Sequence, residues 1–246
     1  MPEGPSLVLL KEEIWQFRRK KVIAAGGNAA IDIQQLEGKQ LLEIRTWGKQ
    51  LFLIFSGKTT IRIHLLLFGS YSIDERVRQK RAVKLELHFN TGILYFYTCS
   101  VKEMEPGWEK TYDWNADLLN QKWDPRGARS KLKKIPETLV CDALLDQQIF
   151  SGSGNIIKNE VLFRIYLHPE SKLGSVPAKV MTALIREAKQ YSYDFLKWKR
   201  ENSLKGHWQI IGKKKCPRCE TSVQKKYCGK TRRRTFFCKN CQEKYV

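Results

Sequence analysis

The sequence is poor in acid and has no long apolar run. Twenty-five Asp and Glu face 45 Lys and Arg over 246 residues, a formal charge of +20. No stretch approaches the ~18 apolar residues of a membrane span. The opening residues lack the small-residue cleavage site of a signal peptide, and Glu3 comes too early for one. No long basic amphipathic helix is present to favour an anionic membrane surface. These absences set the expectation of a cytoplasmic protein, nucleoid-associated if bacterial, that works without a membrane. What remains is a globular chain, 42% apolar and 11% aromatic, with room for about two domains. The basic excess is uneven: residues 207–246 hold 12 basic and 2 acidic side chains. Such a field suits a polyanion whose phosphates release counterions as Lys and Arg neutralise them.

Hydrophobic periodicity divides the chain. Residues 6–19, SLVLLKEEIWQFRR, place Leu7, Leu10, Ile14 and Phe17 at helical spacing. From about 40 to 100 the period shortens: QLLEIRTW, QLFLIFS, TTIRIHLLL, AVKLELHF and GILYFYTC read as antiparallel strands joined by tight turns. Val83, Leu85, Leu87 and Phe89 alternate strictly with polar neighbours, and NTG is a hairpin signal. This predicts a sandwich or barrel. Residues 105–135 lack periodicity and descend into a linker around KWDPRGARSKLKK. ETLVCDALLDQQIF, IIKNEVLFRIYLHP and VPAKVMTALIREAKQYSYDFLKWKRE then read as helices. The fold class is α+β, with domains at 1–122, 136–206 and 207–246 and a linker at 123–135.

Seven cysteines include two C-x2-C pairs, CPRC and CKNC. Cys216, Cys219, Cys238 and Cys241 have the spacing of a closed tetrahedral site for one structural Zn²⁺. A complete shell of four thiolates leaves no position for a catalytic water. Between the pairs lies GKTRRRTFF, which suits either a hairpin that presents guanidinium groups to phosphates or an ordinary solvated face. In SGSGNIIKNE, Asn155 is placed to cap the following helix, whose N–H groups could hold a phosphate; a plain turn fits as well. Lys49 in WGKQLF sits on a turn, where a lysine is ordinarily just solvated. The start, MPEGPS, permits two readings. Pro5 and Glu3 fit helix-start chemistry, or Met1 is removed and Pro2 becomes a secondary-amine nucleophile.

PEGP, WGK, LLDQQIFSGSGNIIKNEVLFRIYLHP, and CPRC followed by RRRTFFCKNCQ occur in this order along the whole chain. In this the chain resembles the formamidopyrimidine-DNA glycosylase and endonuclease VIII family of base-excision repair. The resemblance implies an N-terminal two-layered β-sandwich carrying a helix, a helix–two-turn–helix domain and a zinc finger, with DNA in the cleft between them. It implies Pro2 as nucleophile, Glu3 as acid/base, and Lys49 on the lesion phosphate. Asn155 and Arg233 would hold the DNA backbone, although Arg232 and Arg234 leave the register open, and the four cysteines would bind zinc. Two departures stand out. Ser6 replaces the second glutamate of PE-x-PE. Leu67 stands where the formamidopyrimidine branch has a void-filling methionine, and YTCSVKEM lacks that branch's arginine–phenylalanine segment. Leu66, Leu67 and Phe68 would instead form one wedge, as on the endonuclease VIII side, unless they are buried strand ends. The implied activity is that of a monomeric bifunctional DNA glycosylase/AP lyase. It would act on oxidised bases, pyrimidines above all, through a proline Schiff base and β,δ-elimination, with damaged DNA as partner and no small-molecule cofactor beyond zinc. A catalytically weak binder of abasic or damaged DNA is the alternative that Ser6 and the unusual loop favour. A zinc-finger regulator would have no need of Pro2.

Overall fold

The computed structural model describes residues 2–246, and Met1, whose removal bears on Pro2, lies outside them. The chain forms two compact units: Pro2 with Ser6–Tyr112, and Glu3–Pro5 with Asp113–Val246. Among the described residues no helix is long and apolar enough to cross a membrane.

Helix α1 (Gly4–Glu13), in the first unit from Ser6 on, is followed by a 3₁₀ turn at Trp15–Phe17. Leu7, Leu10, Ile14 and Phe17 are fully buried, as their spacing requires, and Phe17 stacks on Phe89 at 4.8 Å. Eight strands follow: β1 (Val22–Gly26), β2 (Leu41–Trp47), β3 (Gln50–Phe55), β4 (Thr60–His64), β5 (Ser70–Ile73), β6 (Val83–Phe89), β7 (Gly92–Tyr97) and β8 (Ser100–Met104). They form two antiparallel four-stranded sheets, ordered β1-β6-β7-β5 and β2-β3-β4-β8. Leu51, Leu53, Ile61 and Ile63 from one sheet share a core with Leu85, Leu87, Leu94 and Phe96 from the other. That is a β-sandwich. The five expected strands correspond to β2, β3, β4, β6 and β7. The three without a sequence signal, β1, β5 and β8, are edge strands. Neither β5 nor β8 has a buried residue, so neither shows the alternation that marks a half-buried strand.

The second unit contains α2 (Pro125–Lys133), α3 (Val140–Ala143), α4 (Asn155–Arg164) and α5 (Ala178–Arg200), then a hairpin of β9 (Gln224–Cys228) and β10 (Arg233–Phe237). Two expectations are corrected here. The stretch 123–135, expected as a linker, is largely α2. Asp124 caps it by accepting from the Arg126 N–H at 2.9 Å, with Pro125 in its first turn, and Trp123 is buried. The helix expected over ETLVCDALLDQQIF is only the single turn α3. Side-chain hydrogen bonds divert the backbone after it: Asp146 Oδ1 accepts from Gln148 N, and Gln147 Nε2 donates to the carbonyls of Leu145 and Ser153. α4 and α5 form where the periodicity placed them, and α4 sits in the core through Ile157, Val161 and Leu162.

Candidate functional site

Helix α4 is the centre of the site, and its first turn holds Glu3. The Glu3 side chain is 0% exposed. Its Oε1 accepts from the Ile156 N–H at 2.7 Å, and its Oε2 accepts from Gly154 at 3.1 Å and Ile157 at 3.2 Å. The Gly4 N–H also donates to the Gly152 carbonyl at 2.8 Å. Three donors and the positive end of a helix favour an ionised carboxylate in a place that would otherwise exclude it. Gly154 is required for this approach, because a Cβ there would fall within 2.5 Å of Glu3 Oε1. The helix-start role expected for Glu3 is thus real but belongs to a different helix from the one it precedes. Asn155 does not cap α4: the N-cap is Gly154, which makes no side-chain bond, and Asn155 is the first helical residue. The N–H groups expected to meet a phosphate are the ones that Glu3 occupies.

The same helix grips the finger hairpin. The Arg234 carbonyl accepts from Asn155 Nδ2 at 2.9 Å, and from Lys158 Nζ and Asn159 Nδ2 at 3.4 Å each. Asn159 Oδ1 accepts from the Phe236 N–H at 2.8 Å, and Lys158 Nζ donates to Thr235 Oγ1 at 2.7 Å. Lys158 is 1% exposed, and burial pushes its pKa down to about 8. One turn further, Glu160 accepts from the N–H groups of Gln209, Ile210 and Ile211, which lead into the finger. Burial pushes its carboxyl pKa up, and those three donors oppose the shift. From α3, the Asp142 carboxylate accepts from Lys230 N at 2.8 Å, Thr231 N at 3.2 Å and Thr231 Oγ1 at 2.9 Å, fixing the hairpin turn.

Arg232, Arg233 and Arg234 are all exposed on this hairpin. Arg234 is tied through its carbonyl, and its guanidinium donates to Tyr227 Oη at 3.4 Å. Strand parity puts Arg233 on the face of Thr235 and Phe237, both buried.

Cys216, Cys219, Cys238 and Cys241 bring four sulfurs within 4.8 Å of one another. Two of the pairs stand at 3.8 Å (Cys216–Cys241) and 3.5 Å (Cys219–Cys238). A tetrahedral ion with Zn–S bonds of about 2.3 Å needs sulfurs about 3.8 Å apart, so the cluster fits a structural Zn²⁺.

In the first unit, Lys49 occupies the two-residue turn Gly48-Lys49 between the paired residues Trp47 and Gln50. Gln50 pairs with His64 on β4, so the turn and the loop after β4 share one end of the sheet. That loop carries Leu66, Leu67 and Phe68, exposed by 52%, 44% and 72%. The buried strand-end reading of these residues is overturned. β4 stops at His64, Leu66 turns with φ +54°, and the Gly69 N–H closes onto the Leu65 carbonyl at 2.8 Å. Gly69 leaves no space for a Cβ against the Leu65 backbone. His64 Nδ1 accepts from the Leu66 N–H at 3.1 Å, and burial, with Arg62 and Lys49 nearby, pushes the imidazole pKa down. Asp142, Lys158, Asn159, Glu160 and His64 escaped sequence reasoning. The available signal was four polar residues (155 and 158–160) on a helix that the apolar pattern called buried.

Two outcomes test this network. Lys158 titrates near 8 when folded and near 10.5 when unfolded, so between those values the unfolded chain binds the extra proton and this group makes stability rise with pH. Lys158→Met removes that rise: in urea unfolding its advantage over wild type is greatest below about pH 8 and shrinks towards about pH 10. Asp142→Ala costs the hairpin turn about 1.5–3 kcal/mol of local stability. Hydrogen exchange at the Lys230 and Thr231 amides should accelerate accordingly, with Asp142→Asn in between.

Comparison with known proteins gives these geometries a family. The profile of the formamidopyrimidine-DNA glycosylase N-terminal domain matches residues 1–100, and that of the formamidopyrimidine-DNA glycosylase H2TH domain matches residues 116–196. Endonuclease 8-like 3 of Xenopus laevis is 29% identical over 90% of this chain and 38% of its own length. Endonuclease 8-like 2 of Homo sapiens is 34% identical over 74% of this chain and 57% of its own. Probable endonuclease 8 2 of Streptomyces coelicolor is 25% identical over 98% and 94%. The chain thus spans little more than a third of the Xenopus relative. A Lactococcus lactis formamidopyrimidine-DNA glycosylase bound non-covalently to AP-site DNA shares the fold, with TM-score 0.86 and 22% identity over 98% of this chain and 100% of that one. A viral DNA glycosylase does likewise, with TM-score 0.84 and 20% identity over the same shares. With both domain profiles matched in order and a four-cysteine cluster after them, the chain belongs to the formamidopyrimidine-DNA glycosylase/endonuclease VIII family.

Proposed function

We propose that the protein is a bifunctional DNA glycosylase and AP lyase that removes oxidised bases, pyrimidines above all, from damaged DNA. The observation that carries this reading is the anchorage of Glu3. A carboxylate buried without solvent and held by three N–H groups fixes the backbone at residue 3, so the amine of Pro2 is one peptide unit from a rigid point. Pre-positioning of this kind is what a nucleophile needs. An α-amino group has a reference pKa near ~7.7–8.0, so a useful share is neutral at physiological pH.

Pro2 nitrogen bonds to C1′ of the damaged nucleotide, the C1′–N bond to the base breaks, and the base leaves with a proton taken from solvent. The sugar ring opens as O4′ takes a proton. Because Pro2 is a secondary amine, the product is an iminium that stays cationic and draws electrons from C2′. Loss of the C2′ proton breaks the bond from C3′ to its phosphate, and a second elimination breaks the bond from C5′. Glu3, favoured as the anion by its three N–H donors, takes the proton of the Pro2 amine and returns it to O4′ at ring opening. Lys49 contacts the lesion phosphate, and Asn155 and Arg233 hold the strand. The damaged nucleotide leaves the stack at a cost of a few kcal/mol. Leu66, Leu67 and Phe68, exposed on a closed turn, offset it by filling the gap. Their gathering on one loop supports the endonuclease VIII side of the family. One structural Zn²⁺ on the four cysteines holds the finger that carries Arg233.

Borohydride trapping on one oligonucleotide with an abasic site and another with an oxidised pyrimidine is the direct test. Adducts map to Pro2 on both, and Pro2→Gly or Glu3→Gln loses at least 100-fold in strand cleavage while DNA affinity stays within about threefold of wild type. No adduct, with tight binding kept, would replace the enzyme by a damage-binding protein. The purified protein should contain one equivalent of zinc. Cys238→Ser or strong chelation should remove it and weaken DNA binding at least tenfold.

A further inference from the structure

The second unit contains a cleft that none of this chemistry uses. It lies between α2 and α5 and encloses about 590 Å³, within the range of ligand-sized sites. Its apolar surface comes from Trp123, Ile185 and Tyr193, of which the first two are buried and Tyr193 is 42% exposed. Its polar surface includes Arg126, Arg186 and Lys189, and no carboxylate lines it.

That imbalance is built by the helix itself. Ile185, Arg186, Lys189 and Tyr193 fall at i, i+1, i+4 and i+8, one face of α5. The acidic residues of α5 near this level, Glu187 and Asp194, point to Arg164 and pair with it at 3.1 and 3.4 Å. Asp124, beside the cleft in sequence, is committed to capping α2. The cleft therefore keeps four cations, Arg126, Arg129, Arg186 and Lys189, around an apolar recess, with Asp124, Glu187 and Asp194 engaged elsewhere.

We infer that the α2–α5 cleft docks a short acidic segment of a partner protein, with one bulky apolar or aromatic side chain seated in the recess. Charge complementarity requires the acidic flanks. The recess favours an apolar side chain over a phosphate backbone, and the oligonucleotide control below separates it from a stacked base. An anchor in a pocket with a charged rim is the usual form of peptide recognition. Desolvation of Tyr193 would supply affinity, and the arginines would set the rate of encounter and its salt dependence.

The test uses the full chain and a fluorescein-labelled twelve-residue peptide with a central phenylalanine–leucine pair flanked by aspartates and glutamates. Controls are the same peptide with serine at both apolar positions and a single-stranded oligonucleotide. Saturable binding is expected, weakening as salt rises. It should fall at least tenfold for the serine peptide and for Arg126→Glu/Arg186→Glu, with oligonucleotide binding and cleavage within about twofold of wild type. If the double reversal does not fold, Arg186→Ala and Lys189→Ala should each weaken the peptide at least threefold. Absence of saturable binding, equal binding by the serine peptide, or binding indifferent to these substitutions would overturn the proposal. So would a parallel loss of oligonucleotide binding, which would assign the cleft to the DNA surface. A self-associating chain that the same substitutions render monomeric would give the cleft to a second copy instead.

Discussion

A helix set into an apolar core leaves the N–H groups of its first turn without partners, and each costs free energy if none is found. α4 meets this with the Glu3 carboxylate, which comes from the far end of the chain and satisfies three of them at once. The arrangement is reciprocal. The carboxylate could not remain buried and ionised without those donors, and the helix start could not be buried without the carboxylate. A glycine at 154 is the steric condition for both. Residue 3 is thereby fixed to α4, and the proposed chemistry of Pro2 depends on that fixture.

The rest of α4 continues the principle. Lys158, Asn159 and Glu160 are fully or nearly fully buried, yet each is hydrogen-bonded to the finger hairpin or to the segment leading into it. Buried polar groups contribute little net stability when paired and cost much when a partner is lost. They are well suited to setting register. Three donors on one carbonyl, that of Arg234, allow β10 a single position along α4, and with it the placing of Arg233. Asp142 adds a second fixed point at the turn. The finger is thus located by the helical core as well as by its own four sulfurs.

Charge is sorted in the same manner. Carboxylates in the second unit are largely consumed by caps, N–H clusters and ion pairs, as Glu3, Asp124, Asp142, Glu160, Glu187 and Asp194 show. Basic side chains are left to face solvent on the hairpin and along the α2–α5 cleft. A surplus of +20 in composition becomes localised cationic surfaces because these acids are spent on backbone donors and on Arg164.

Much of this was legible in the order of residues. Strict alternation at Val83, Leu85, Leu87 and Phe89 specified a half-buried strand, helical spacing specified the buried face of α1, and paired C-x2-C units brought four sulfurs together. Each rests on local periodicity or short covalent spacing, which a sequence states directly. Strands β1, β5 and β8 were silent because they bury too little to impose a pattern, whereas β2, also at an edge, buries Leu41, Ile44 and Trp47. The helix expected around LLDQQIF broke because Asp146 and Gln147 offered the backbone better partners. Whether Leu66, Leu67 and Phe68 were core or surface was undecidable from hydrophobicity and was settled by one residue at positive φ. By itself the sequence determined the types of the strongly periodic elements, the sulfur cluster and the sign of the field. Only the tertiary structure decided that Glu3 belongs to α4, that Lys158 and Asn159 serve β10, and which anions are spent. Those pairings join residues some 75 to 154 positions apart, and nothing in local spacing encodes a partner at that distance.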